Sequence, residues 1–126
     1  KFAEPTGIGV ARYIAMPERP GVAEVALTVV DDYQRIGAGS LLHACLHLTA
    51  SRHGYTRFWY DVLWENAGFL RYLKSLGGKV VGAEAGVASI EMPIYASAAE
   101  VPQNDGTAMR FARLLHDVMT AAPVEA

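Results

Sequence analysis

A glutamate and a glycine turn carry most of the chemistry this sequence offers. Glu24 lies inside an otherwise apolar run, Ala23-Glu24-Val25-Ala26-Leu27-Thr28-Val29-Val30, where an ionisable side chain stands out. A short way on comes Gln34-Arg35-Ile36-Gly37-Ala38-Gly39-Ser40. Gly37 and Gly39 let the backbone adopt conformations closed to other residues and bring its N–H groups close to an anion. The helix that opens near Gly39 adds unpaired first-turn donors and the positive end of its dipole. The turn is therefore a candidate phosphate cradle, to which Arg35 contributes a cation. Ser40 either caps the helix or touches the ligand. A dinucleotide fingerprint needs three glycines, and a P-loop needs a Lys-Ser/Thr pair after its second glycine; neither is present.

Other residues carry weaker signals. Asn66 precedes a helical pattern and reads as an N-cap that can also face a ligand. His43 and His47 stand one helical turn apart, but the sequence places no third ligand beside them, so a solvated or packed pair is expected and no metal. Cys45 falls on the apolar stripe of its helix and reads as core rather than nucleophile. Trp59, Tyr60 and Trp64 are expected to pack the sheet.

Composition narrows the classes. A chain of 126 residues, 52% hydrophobic and 19% charged, suits one globular domain. A formal net charge of −2 and the absence of a Lys/Arg cluster disfavour a nucleic-acid footprint. No run approaches the ~20 apolar residues of a membrane helix, so no membrane partner is expected. The lone Cys45 excludes an internal disulfide and suits a reducing cytoplasm.

The elements that must position these groups follow from periodicity. Residues 7–14 read as a strand, closed by the Pro/Gly turn 16–21 and followed by a second strand over 23–30. In that strand Glu24, Ala26, Thr28 and Val30 share one face, and Val25, Leu27 and Val29 the other. Leu42, Cys45, Leu46 and Thr49 predict a helix from Gly39 to about His53, stopped by Gly54. Residues 56–64 are aromatic and β-branched, hence a strand. Phe69, Leu70, Leu73 and Leu76 mark a helix over 67–76 that ends at Gly77-Gly78. Two short strands, 80–82 and 87–95, complete the order β-β-α-β-α-β-β, an α/β (α+β) mixed sheet flanked by helices. Residues 96–106 read as a linker. A last amphipathic helix begins at Thr107, with Phe111, Leu114, Leu115 and Val118 on a face that needs covering.

Gln34 to Gly39 resembles the Q/R-x-x-G-x-G/A pyrophosphate motif of the GNAT superfamily of N-acetyltransferases, and the element order resembles that fold from its third strand onward. The resemblance covers roughly residues 7–95, and the family's first strand, two early helices and second strand have no counterpart. Ala23 to Val30 and the second-helix pattern are similar to the catalytic domain of bacterial cyclic-AMP-regulated protein lysine acetyltransferases.

The resemblance implies an acetyl-CoA-dependent N-acetyltransferase acting on a primary amine by direct attack, with Glu24 as base. A lysine amine, with a reference pKa near ~10.4, must lose a proton before it attacks a thioester. Partial burial of Glu24 would raise its pKa and suit it to that task; the plainer reading is a solvent-facing Glu paired with Arg12 or Arg57. The resemblance assigns the thioester carbonyl and pantetheine arm to backbone groups near Val29 and Val30. It gives the pyrophosphate to Gln34, Arg35, Ile36, Gly37, Ala38, Gly39 and Ser40, and sets Asn66 toward the coenzyme. Where many members carry a Tyr as general acid, this chain has Leu73, and Tyr72 points about 100° away around the helix. The expected acceptor is a protein lysine. A small amine is the alternative acceptor, and the absence of an obvious acidic patch decides for neither; a CoA-binding module without activity is the rival from another class, favoured by the missing N-terminal elements and by Leu73 in place of Tyr. The missing elements and the apolar stripe of the last helix lead one to expect a homo-oligomer or docking of a missing N-terminal segment.

Overall fold

The computed structural model describes residues 9–29 and 38–121, and within them the alternating runs become a five-stranded mixed sheet. Its strands are β1 (Gly9–Ala15), β2 (Val22–Val29), β3 (Arg57–Leu63), β4 (Lys79–Glu84) and β5 (Val87–Pro93), in spatial order β1-β2-β3-β5-β4. The helices are α1 (Ala38–Arg52), α2 (Ala67–Ser75) and α3 (Gly106–Ala121), with a 3-10 turn at Ala98–Glu100 within the expected linker. The mixed α/β order expected from the sequence is thus present. The last hairpin is longer on its first strand than expected, and its turn narrows to Ala85-Gly86, which take φ of 54° and 81°. Such angles suit glycine and are uncommon for alanine.

The alternation of β3 sorts the sheet into two faces. Phe58, Tyr60 and Val62 are buried, while Asp61 and Leu63 are exposed. Ala23 and Val25 on β2, and Ala88, Ile90 and Met92 on β5, join the buried side. Helices α1 and α2 cover this face: His43 of α1 stacks near Phe58, and Phe69 of α2 meets Tyr60 edge to face. The opposite face carries Glu24, Ala26, Asp61 and Leu63, all exposed.

Three sequence expectations about packing need correction. Helix α1 does not bury the stripe drawn from Leu42, Cys45, Leu46 and Thr49; Cys45 and Thr49 are exposed, and the inward residues are His43, Ala44, Leu46, His47 and Ala50. Two imidazoles take the place of aliphatic side chains because aromatic partners stand opposite them. The stripe of α3 is not free either. Phe111, Ala112 and Leu115 are buried within the chain's own core, where the Phe111 ring meets both His43 and His47. The reason for expecting self-association through that stripe therefore falls. Trp64 does not pack the sheet, since it is 44% exposed, while Trp59 lies on the open face beneath the Arg19 guanidinium.

Helix ends tie the layers together. Asp105 accepts from the Ala108 N–H at 2.9 Å, capping α3, and from the Ser75 hydroxyl at 2.8 Å, joining the end of α2 to the start of α3. The Ala108 N–H and then the Ser75 hydroxyl hold its carboxyl below the usual carboxylate range. Leu76 closes α2, and its carbonyl accepts from the Tyr95 hydroxyl at 2.6 Å.

Candidate active site

The sheet is split where the sequence places its chemistry. Strands β2 and β3 run parallel but pair only over Val22↔Arg57, Ala23↔Phe58 and Glu24↔Trp59. Beyond that rung β2 stays bonded to β1 as far as Val29, and β3 stays bonded to β5 as far as Leu63. The two strands part company because each keeps its outer partner. A cleft of about 380 Å³ opens between them, lined by Val25 and Ala26 of β2, by residues 60–63 of β3, and by Asn66 and Phe69 at the start of α2. Its walls include strand edges whose N–H and C=O groups lack a neighbouring strand, and an extended ligand with amide groups can pair with such edges.

Glu24 stands on the last paired rung, at the apex of the split. It is exposed, so the burial assumed for it is absent. The pairing with Arg57 is absent too: that guanidinium bonds Glu91 at 3.1 Å. Among the described residues Glu24 has no ion-pair partner, and Arg12 does not bridge to it. Asn66 occupies the other end of the cleft, where its side chain accepts from the Phe69 N–H at 3.4 Å and caps α2. Capping and lining coexist in this one residue. Val29 ends β2 on the split edge. Ala38, Gly39 and Ser40 form the first turn of α1, with Gly39 and Ser40 partly buried. Val30, Gln34, Arg35, Ile36 and Gly37 lie outside the described residues.

Beneath the cleft runs a buried polar network that sequence reasoning saw only in outline. The His43 Nδ1 pairs with the Tyr72 hydroxyl at 3.0 Å, and its Nε2 pairs with the Tyr60 hydroxyl. Since the Tyr60 hydroxyl also donates to the Met92 sulfur at 3.5 Å, the consistent assignment has the imidazole donating to Tyr60 and accepting from Tyr72. Both nitrogens are committed, which leaves no lone pair for a metal. Burial pushes the His43 pKa down to about 3, so the ring is neutral. Its neighbour His47 is likewise lowered, by burial first and then by His43; its Nδ1 accepts from the Tyr95 N–H at 3.0 Å and its buried Nε2 has no partner among the described residues. Burial raises Tyr72, against the opposing effect of the Ser40 hydroxyl. Tyr72 thus points into the network, and Leu73 is fully buried. Cys45 faces outward, with its thiol pushed up by desolvation, which lowers its thiolate fraction.

One group at the cleft went unnoticed in the sequence. Asp61 lines it from β3, exposed on the same face as Glu24, with Oδ1 accepting from the Trp59 indole at 3.1 Å and from the Ser89 hydroxyl at 2.9 Å. A lone Asp in an aromatic strand gives no signal in one dimension. Only the parallel rung Glu24↔Trp59 brings the two carboxylates onto neighbouring strands.

The mixed sheet that splits between two parallel strands, with a helix following the first of them, matches the GNAT N-acetyltransferase fold. Within that fold it is similar to an acetyltransferase and to a cAMP-binding acyltransferase. Acetyltransferase Pat of Mycolicibacterium smegmatis is 36% identical over 84 residues, which are 67% of this chain and 25% of that protein. The chain therefore spans about a quarter of the curated relative it matches. The cAMP-binding acyltransferase from Mycobacterium smegmatis superposes with a TM-score of 0.60 at 28% identity, over 90% of this chain and 36% of that one. The GNAT domain of S. lividans PAT gives 0.61 at 28% identity, over 69% and 54%. A GCN5-related N-acetyltransferase from Kribbella flavida shares the fold, with a TM-score of 0.61 at 23% identity over 70% of this chain and 61% of that chain. No protein-family model matches the chain.

Proposed function

We propose that the chain transfers the acetyl group of acetyl-CoA to a primary amine, with a protein lysine as acceptor. The observation that carries this reading is the split between β2 and β3, with Glu24 at its apex and the first turn of α1 following β2. The unpaired strand edges suit the amides of the pantetheine arm, and the turn through Ser40 offers backbone donors to its pyrophosphate. In this reading a backbone N–H at the end of β2, near Val29, stabilises the oxyanion that develops at the thioester carbonyl.

In the reaction Glu24 takes a proton from the acceptor ammonium, directly or through a water. The freed nitrogen lone pair attacks the carbonyl carbon, the C–S bond breaks, the coenzyme leaves as a thiolate, and the nitrogen releases its second proton to solvent, from which the thiolate takes one up. Leu73 is fully buried and Tyr72 is held by His43, so α2 supplies no acid from either position. A thiolate with a pKa near ~8.5 leaves without one. The same two residues favour a second reading, a CoA-binding module without turnover. A small-amine acceptor is the variant within the first reading.

Glu24→Gln separates these. The proposal predicts that kcat/KM falls by roughly 10²–10⁴-fold. An unchanged rate at saturating acceptor removes Glu24 from the mechanism. Binding of acetyl-CoA with no transfer to peptides or small amines favours the silent module.

A further inference from the structure

We propose that Asp61 is the residue that selects the acceptor's positive charge, a reading that rests on the acetyl-transfer function proposed above. The two faces of the split sheet present different chemistry. Helices α1 and α2 cover one face, and the first turn of α1, which holds the proposed coenzyme site, belongs to that side. The other face is open and carries Glu24 and Asp61 on neighbouring strands. A coenzyme seated from the helix side leaves the open face to the acceptor. There an arriving amine meets carboxylates first.

Asp61 is built to hold its charge in one place. The Trp59 indole and the Ser89 hydroxyl fix Oδ1, and Oδ2 has no partner among the described residues. Four cations share this face: Arg57 is bonded to Glu91, Arg19 lies over the Trp59 ring at 4.6 Å from its centre, Arg12 stands on β1 opposite Ala26, and Lys79 stands on β4 opposite Glu91. None of them ion-pairs with Asp61 among the described residues, so its charge is available to a ligand. Asp61 lines the cleft, and Trp59, which orients it, is the rung partner of Glu24. An ammonium held at Oδ2 is therefore delivered at the mouth of the split, near the base at its apex. This attraction acts on the cationic acceptor before deprotonation. It lowers KM and leaves the chemical step to Glu24.

The test is Asp61→Asn, whose amide oxygen still accepts from Trp59 and Ser89 while the charge is lost. With a lysine peptide as acceptor, KM should rise about three- to tenfold with kcat within about twofold, the range of a partly exposed charge pair. The KM of the wild-type chain should rise with added salt and that of Asp61→Asn should rise less. Ser89→Ala, which frees one hold on Oδ1, should give a smaller rise. An unchanged KM in an active Asp61→Asn variant overturns the inference while leaving the function intact. Weakened acetyl-CoA binding in that variant also overturns it, by placing Asp61 on the coenzyme side. If the wild-type chain acetylates no amine, the function itself fails. Titration of the peptide onto the CoA complex then decides the residue: weaker binding to Asp61→Asn supports it and equal binding overturns it.

Discussion

Acidification should destabilise this protein above the pH at which carboxylates titrate, because two neutral imidazoles sit in its core. His43 has a folded pKa of about 3 against a reference of 6.5. Between those values the unfolded chain binds a proton that the folded chain refuses, so stability falls as pH drops below 6.5 and the loss is complete near the folded pKa. Each pH unit in that window costs about 1.4 kcal/mol for one such group. From pH 7 to pH 5, His43 alone should therefore remove roughly 2 kcal/mol. His47 is shifted in the same direction and adds to it. For a domain of this size that corresponds to a fall in Tm of about 8 °C from His43 alone. Asp105, the carboxylate whose pKa is lowered, loses its contribution only at more acidic pH. Thermal or urea unfolding at the two pH values measures the effect, and His43→Gln should show a smaller loss over the same interval. A Tm that changes by less than about 2 °C between pH 7 and pH 5 would refute the buried neutral network.

Two further expectations concern packing. A Cβ at Gly78 would lie 2.8 Å from the Leu73 carbonyl oxygen and 2.9 Å from the Ile90 side chain; because the first of these is backbone, Gly78→Ala should destabilise by about 1–3 kcal/mol in urea unfolding, and a neutral result would place α2 further from β5. Phe111→Ala should cost about 3–5 kcal/mol, as expected for a buried aromatic, and a cost below ~1 kcal/mol would mean that α3 does not dock on α1.

The sequence made the fold legible where a single period governs a run. β3 alternates cleanly, α2 carries its leucines on one side, and Gly77-Gly78 ends it, so these elements stand close to where the pattern puts them. Asn66 was legible as a helix cap, which it is, and Glu24 as a break in an apolar run. What could not be read depends on pairing across the chain. The face of α1 that turns inward is chosen by Tyr60 and Tyr72, which satisfy His43, and no count along α1 contains those partners. The docking of α3 likewise depends on the groove beside α1. Asp61 is marked only by the register that sets β3 next to β2, and the exposure of Glu24 follows from an open sheet face that local sequence does not encode.

The central claim is that the split sheet joins an acetyl thioester to an amine. Its direct test is intact-mass analysis of lysine peptides and small amines incubated with this chain and acetyl-CoA, beside a control without protein. The account predicts that lysine peptides gain the mass of one acetyl group, at a rate that Glu24→Gln reduces. Peptides and small amines modified no faster than in the control would contradict it.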